Sequence, residues 1–324
     1  MSNPQANQGQ PLGQIFTPND YRIALSSFDV AVCEAYAVSQ AQAGSMAAQN
    51  VAYAIMVYTR LCGHGVSMIR AAPYSRWVKS DFEDWNFSAL ASHARSILEG
   101  YLSFSYLIDP PINDAHLEAR LYVMHLNEST RRMEFHMDLG SEQSRMYLYT
   151  AQQEEIRQKL LTNEYFISLP PRVQKFCLSG NCMMIESRDQ LLDKLISENK
   201  LHFNAIFDIW SQYLHILPLS FYRIEPNGRG CGVENDADRN YMGHALQLSA
   251  ELLTIATNEV VQIFPHINTV RQGINSTFSP GPRSNRPKPK SSIKPHPKEK
   301  SFPPSKQKML SNAITDVWES KYKI

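Results

Sequence analysis

Apolar residues recur at helical spacing through most of this 324-residue chain, and clean alternation bounded by hairpin turns, the pattern of strands, is scarce. The first helical stretch begins at Thr17, where Pro18 occupies the first helical position and Asp20 completes a capping pattern. Behind it lies a broad apolar stripe formed by Tyr21, Ile23, Ala24, Phe28, Val30 and Ala31. This pattern predicts an all-α fold, a multi-helix bundle whose short connections make neighbouring helices antiparallel.

The helix boundaries are predicted from prolines, glycines and capping residues. Ser187 and Gln190 form a capping-box pattern, and Asp236 or Asp238 is expected to cap the last helix. Gly63 and Gly65 are expected to interrupt the second helical stretch, and Pro218 is expected to kink a mostly buried one. The charge-rich stretch 141–166 is expected to expose its glutamates and to turn inward Met146, Leu148, Ile156 and Leu160. We predict helices over 18–44, 46–61, 86–108, 114–140, 141–166, 187–200, 201–224 and 236–264.

The basic residues are concentrated towards the C-terminus. Residues 271–308 contain ten Lys or Arg and one acid, Glu299, so they carry +9, and the rest of the chain carries −8 within a total of +1. Proline, serine and lysine dominate the stretch, and such a composition buries too little apolar surface to fold. We predict a disordered N-terminus at 1–17, a helical domain at 18–270, a disordered basic Pro/Lys-rich linker at 271–308 and a short terminal helix at 309–324.

The overall composition, 43% hydrophobic and 19% charged, is that of a globular protein. The longest apolar stretches are interrupted by polar residues and fall short of a bilayer span, and the start of the chain does not resemble a signal peptide. Five scattered cysteines predict reduced thiols, and Cys177 and Cys182 lack a second pair with which to hold zinc. We expect a soluble cytoplasmic protein without a metal or another cofactor.

One predicted helix carries a charged pair on an apolar face. Arg95 and Glu99 are four residues apart, which places both side chains on the same side of the helix. His215 lies in an otherwise apolar turn of a later helix. We predict that these three residues meet in a buried polar core cluster, which must be paired internally. Two interpretations stay open, a structural ion pair with a satisfied core histidine and a polar pocket between helices.

The segment 93–99 (HARSILE), the sequence Tyr213-Leu214-His215 and the long final helix together resemble a large group of uncharacterised bacterial helical domains of unknown function. The resemblance covers about residues 18–265. Some members occur in genomic settings associated with phage defence or mobile elements, so the resemblance implies an accessory role of that kind. It implies no reaction.

A second motif opens the last predicted helix, where Arg239-Asn240 is followed by His244. It resembles the Arg-x4–6-His signature of HEPN ribonucleases in its form with Asn after Arg. The resemblance implies a metal-independent endoribonuclease acting as a homodimer, with Arg239, Asn240 and His244 as catalytic residues. An arginine can stabilise the scissile phosphate and a histidine can transfer protons. On a regular helix, residues five apart point about 140° away from each other, so the pair converges only where the helix is irregular.

The basic stretch supplies a third set of candidates. Lysines and arginines spaced by proline and serine suit salt-sensitive, sequence-independent contacts with phosphates, whereas aromatic residues for base stacking are scarce. A linker kept extended by self-repulsion is the alternative. Our leading hypothesis is a helical protein whose tail binds polyanions or nucleic acid non-specifically and that contacts no membrane; the alternative is the HEPN-like ribonuclease. The residues expected to bind nucleic acid are Arg283, Arg286, Lys288, Lys290, Lys294, Lys298 and Lys300.

Overall fold

The computed structural model describes residues 15–140, 143–196, 200–222 and 228–282. Over these ranges the chain is predominantly helical and contains no β-strand, which confirms the all-α fold. A 3₁₀-helix, Pro265–Val270, follows the last α-helix. The α-helices in the described ranges are α1 Pro18–Ala41, α2 Gln49–Ala71, α3 Phe87–Ile108, α4 Asp114–Asp138, α5 Gln143–Leu161, α6 Glu164–Ile167, α7 Pro171–Leu178, α8 Arg188–Ile196, α9 Lys200–Leu214, α10 Pro218–Phe221 and α11 Asp236–Ile263.

The main core forms where α1, α2, α3 and α11 pack against one another, and α9 packs on α3. Tyr58 ties three of these helices together, because its hydroxyl donates to the Ala35 carbonyl at 2.9 Å and lies 2.9 Å from Thr257 Oγ1. Seven residues link α1 to α2 and five link α3 to α4, but fifteen link α2 to α3. Each of the four core helices contributes a fully buried side chain, namely Phe28, Tyr58, Phe104 and Leu253.

Gly65 lies at a close approach between helices in this core. The predicted interruption at Gly63 and Gly65 is wrong, since α2 continues through both residues to Ala71. A Cβ atom at Gly65 would lie 3.1 Å from Val32 of α1 and 3.1 Å from Leu253 of α11, which is tighter than ordinary contact. The glycine therefore serves helix packing rather than helix termination.

A second, smaller core joins α4 to α5, α6 and α7. Ile156 and Leu160 face inward on α5 and the neighbouring glutamates are exposed, as predicted. The prediction is wrong for Leu148, which is 67% exposed, and Met146 is half-buried. Leu148 near the start of α5 and Phe135 near the end of α4 are both exposed. The buried face of α5 therefore begins only further along the helix.

The stretch 201–224 is not the single buried helix that we predict. Helix α9 ends at Leu214, Ile216 adopts a left-handed backbone conformation (φ 52°), and Pro218 starts the separate short helix α10. Ile216 is 73% exposed and Leu219 is also exposed, while residues 223–227 lie outside the described ranges. The left-handed residue, rather than a kink at Pro218, ends the helix.

The helix caps follow the sequence closely. Thr17 and Asp20 cap α1 reciprocally, and Ser187 and Gln190 do the same before α8. Asn235, rather than either predicted aspartate, caps α11 by accepting the backbone N–H of residue 238 at 2.9 Å. None of the described helices is long and apolar enough to cross a membrane. The five cysteines are all free thiols in the described part of the chain.

Both ends of the helical body, by which we mean the described residues from 15 to 282, differ from the predicted boundaries. Phe16 is 2% exposed, so residues 15–17 belong to the body rather than to a disordered N-terminus. Ser276 and Ser279 are fully buried, so the basic linker predicted from residue 271 does not begin before residue 283. The predictions for 1–14, for 283–308 and for a terminal helix at 309–324 lie outside the described residues.

Candidate functional site

Residues 271–282, here called the root, form the last part of the helical body and contact α1 and α11. Arg271 Nε and Nη2 both lie 2.8 Å from Glu34 Oε2 of α1, and Nη1 donates to Asn258 of α11 at 2.8 Å. The backbone N–H of Gly273 donates to Glu34 Oε1 at 3.1 Å. Both charged side chains are largely buried, so this ion pair is shielded from solvent and holds the root firmly.

A second ion pair holds the far end of the root. Arg76 pairs with Asp29 of α1 and also donates from Nη1 to the carbonyl of Pro282. Trp77 Nε1 donates to Asp29 Oδ1 at 2.7 Å, so the buried carboxylate is well satisfied. The hydrogen bonds to Asp29 raise the pKa of Arg76 above its ordinary value. The two ion pairs therefore hold the root at both of its ends, and the basic segment, residues 283–308, follows it in the sequence.

The motif at the start of α11 surrounds Phe16. Arg239 Nε donates to the Phe16 carbonyl at 2.9 Å, its Nη1 lies 3.2 Å from Glu234 Oε1, and its Nη2 bonds to Asp236. Asn240 Oδ1 accepts the backbone N–H of Phe16 at 3.0 Å. All three guanidinium nitrogens therefore bond to groups of the same chain.

The Phe16 ring fills the space beside the same turn of α11. It meets the His244 ring edge-on, with 4.7 Å between the centroids. A Cβ atom at Gly243 would lie 2.7 Å from Phe16 Cγ, so a side chain at this position and the ring cannot coexist. Burial lowers the pKa of His244. We call Arg239, Asn240, Gly243 and His244 the Phe16 clamp.

These contacts bear on the ribonuclease hypothesis. A catalytic Arg239 would need guanidinium donors directed at a phosphate, whereas here its side chain is nine-tenths buried and each nitrogen is already bonded. His244 is half-buried against an aromatic ring. The catalytic roles that the resemblance implies for Arg239, Asn240 and His244 stay a prediction, which the observed contacts do not support.

The predicted polar core cluster is only partly formed. Arg95 is buried, donates from Nη1 to Glu99 at 2.7 Å and donates from Nε to Ser211 of α9 at 3.0 Å. Its guanidinium carbon lies 3.3 Å from the ring centroid of Phe207, and that of Arg188 lies 3.4 Å from the same centroid. Two guanidinium groups cannot both fit over one face at that height, so the ring lies between them. The arrangement joins α3, α8 and α9.

Two members of the predicted cluster are placed differently. The Glu99 side chain is 63% exposed, so the prediction that it is buried is wrong. His215 is exposed and lies beyond the last residue of α9, so it does not join Arg95 and Glu99. The helix ends one residue before His215, which removes the apolar face on which its predicted burial depended. Arg95 thus forms a structural contact rather than the wall of a histidine-containing pocket.

Comparison of the chain with protein-family models, with curated proteins and with solved structures finds no match. The candidate nucleic-acid-binding residues from Arg283 to Lys300 lie outside the described residues. Sequence reasoning missed Phe16, Glu34 and Phe207. A signal exists for Phe16 alone, because an apolar residue directly before a helix cap commonly packs onto the structure that follows.

Proposed function

We propose that this protein is a non-enzymatic helical scaffold that binds nucleic acid or another polyanion, without sequence preference, through the basic segment. The observation that supports the proposal is the concentration of positive charge in the basic segment. Residues 283–308 contain nine Lys or Arg and one acid, whereas the whole chain is nearly neutral. Each phosphate neutralised by such a segment releases counterions, which drives binding.

The contacts of the root support this proposal. Glu34 and Asp29 use their carboxylates to hold Arg271 and Arg76, and those two arginines hold the root on α1. The basic segment starts directly after the last of these contacts. The root that precedes it is therefore held in place, and the acids that hold the root are occupied by Arg271 and Arg76.

The contacts of the Phe16 clamp favour this scaffold over the ribonuclease. A ribonuclease needs an accessible cation and a proton-transfer group at the scissile phosphate. Arg239 instead bonds to Phe16, Glu234 and Asp236, and His244 packs on Phe16. A role in phage defence or in a mobile element rests on the family resemblance alone and belongs to this proposal as a biological setting.

Salt-dependent binding tests the proposal. Duplex DNA and RNA of equal length are titrated with the full chain and with a chain ending at Pro282, each at two salt concentrations. Ending there keeps the whole root, from the ion pair of Arg271 with Glu34 to the contact of Pro282 with Arg76. The full chain is expected to show a log–log salt slope of about −0.9 per phosphate contact on duplex DNA. It should show little preference among sequences, because phosphate contacts do not read bases.

A matched pair of variants separates local charge from net charge. Replacing Lys288, Lys290 and Lys294 by Gln removes three charges from the basic segment and should reduce the slope by up to about three units. Replacing the exposed body residues Lys79, Arg172 and Lys175 by Gln removes the same charge and should leave the slope unchanged. If the chain ending at Pro282 binds as tightly as the full chain, the basic segment is only a linker and the proposal fails.

A further inference from the structure

A cleft of about 390 Å³ opens between the end of α3, the region of α8 and the last turns of α11. Its volume lies at the lower end of the range for small-molecule sites. Part of its wall is apolar, with Ile108, Leu191, Leu195 and Ile263 among the lining side chains. None of the candidate residues that the sequence analysis selects lines the cleft, and no part of the proposed nucleic-acid binding uses it.

Three polar atoms of the cleft lack partners. Ser105 Oγ, Glu186 Oε2 and Glu259 Oε2 are buried and have no hydrogen-bond partner within the described part of the chain. Ser105 is 7% exposed, and its hydroxyl, although near Tyr101, meets no group there at hydrogen-bond geometry. A buried polar group without a partner costs about 1–3 kcal/mol, and more when it is charged. Three such atoms around one cleft indicate a ligand that supplies hydrogen-bond donors.

The charges around the cleft indicate the sign of that ligand. Asp109, Glu186 and Glu259 line it, against the single lining cation Lys194 among the described residues. Lys194 Nζ lies 3.3 Å from Glu186 Oε1, which leaves the other oxygen of that carboxylate unpaired. Burial, and then the charge of Asp109, raise the pKa of Glu259. A bound cation would stabilise the charged form of Glu259 against both its burial and the repulsion by Asp109.

The donor set argues against a metal ion. Among the described residues, no three His, Cys, Asp or Glu side chains form a group that could hold one. An organic cation does not need convergent ligands, since a diamine carries N–H donors at both ends of a flexible chain. Its methylene groups would contact the apolar wall while its ammonium groups meet the acceptors.

We propose that this cleft binds a small aliphatic amine, of which a diamine or polyamine is the type. One ammonium group donates to Glu259 Oε2 and Ser105 Oγ, and a second group donates to Glu186 Oε2. The methylene chain lies against Ile108 and Ile263. This site binds a cation, whereas the basic segment binds anions, so the two sites act independently.

The test is calorimetric titration of the full chain with 1,4-diaminobutane, with butane-1,4-diol as a neutral ligand of the same shape. The diamine is expected to bind and the diol is not. Glu259→Gln and Glu186→Gln should each weaken diamine binding by about tenfold to a hundredfold, the range for a lost charged hydrogen bond. Glu251→Gln, at an exposed position of the same helix, should change affinity by less than about twofold.

Proton release gives a second readout. Tyr101 of α3 and Asp109, directly after α3, interact with Glu259, and Glu186 and Lys194 line the same cleft. Because its pKa is raised, diamine binding near that pKa should expel a proton, seen as a binding enthalpy that depends on the buffer. Glu259→Gln should abolish this dependence. Equal binding of the diol, no binding at about 10 mM diamine, or wild-type affinity in Glu259→Gln would each overturn the proposal.

Discussion

Gly243→Ala tests the Phe16 clamp most directly. The new Cβ would lie 2.7 Å from Phe16 Cγ, so the ring must leave its site. Phe16 is 2% exposed, and displacing it forfeits about 1.5–3 kcal/mol of burial together with its backbone hydrogen bonds to Arg239 and Asn240. Against this, alanine is favoured over glycine in a helix interior by about 0.8–1 kcal/mol. The net effect is a loss of about 1–2 kcal/mol in the free energy of unfolding.

The sign should reverse when the ring is absent. In a Phe16→Ala background nothing occupies the space beside Gly243, so the same substitution should stabilise by about 0.5–1 kcal/mol through helix propensity alone. The double-mutant cycle should therefore show a coupling energy of about 1.5–3 kcal/mol. Gly63→Ala is the matched control, because that glycine lies inside α2 and a Cβ there meets no described atom within 4 Å.

Urea denaturation followed by circular dichroism at 222 nm measures all five proteins, which are the wild type, the three variants of the cycle and the control. Gly63→Ala should be at least as stable as the wild type. If Gly243→Ala is stabilised to the same extent, or if the cycle is additive within about 0.5 kcal/mol, Phe16 does not occupy the site beside Gly243.

Further predictions concern charge and pH. Arg95→Ala should lower the free energy of unfolding by about 2–4 kcal/mol, whereas Glu99→Ala at its exposed position should lower it by about 0–1 kcal/mol; equal losses in urea denaturation would contradict this assignment. His64 and His93 face each other with 3.2 Å between their Nδ1 atoms, and burial lowers the pKa of both. Folding favours the neutral forms of both histidines. The free energy of unfolding should therefore have its full value above about pH 6.5 and decrease as the pH falls below it. Thermal denaturation from pH 7.5 to 5 checks this, and a flat profile would refute it. Labelled RNA should be cut no faster by the wild type than by His244→Ala, and a faster wild type would restore the ribonuclease hypothesis.

Features whose partners are close in sequence could be predicted. The caps at Thr17 and Ser187 depend on residues three positions away, and both are present as predicted. The burial of Arg95 follows from its place on an apolar helix face. The role of Gly65 could not be predicted in this way, because it depends on Val32 and Leu253 in two other helices.

In the candidate sites, too, contacts between residues close in sequence could be predicted and contacts between distant residues could not. The spacing of Arg239 and His244 is visible in the sequence, but the residue that both contact, Phe16, lies more than 220 positions earlier. The predicted burial of His215 is wrong because a left-handed residue at Ile216 ends α9, and no proline or glycine at that position indicates the turn. The acceptors of the amine cleft come from three separate segments, so no local pattern marks them.

The pairing of α1 with α11 has a consequence during synthesis. Helix α1 packs mainly on α11, yet 194 residues lie between Ala41 and Asp236. At about 5–20 residues per second, the ribosome needs roughly 10–40 seconds to reach α11 after it completes α1. During that interval the apolar surface around Val32 stays exposed, because α11, which covers it, has not yet been synthesised. The yield of native molecules should therefore depend on translation speed and on chaperones that shield the first helix.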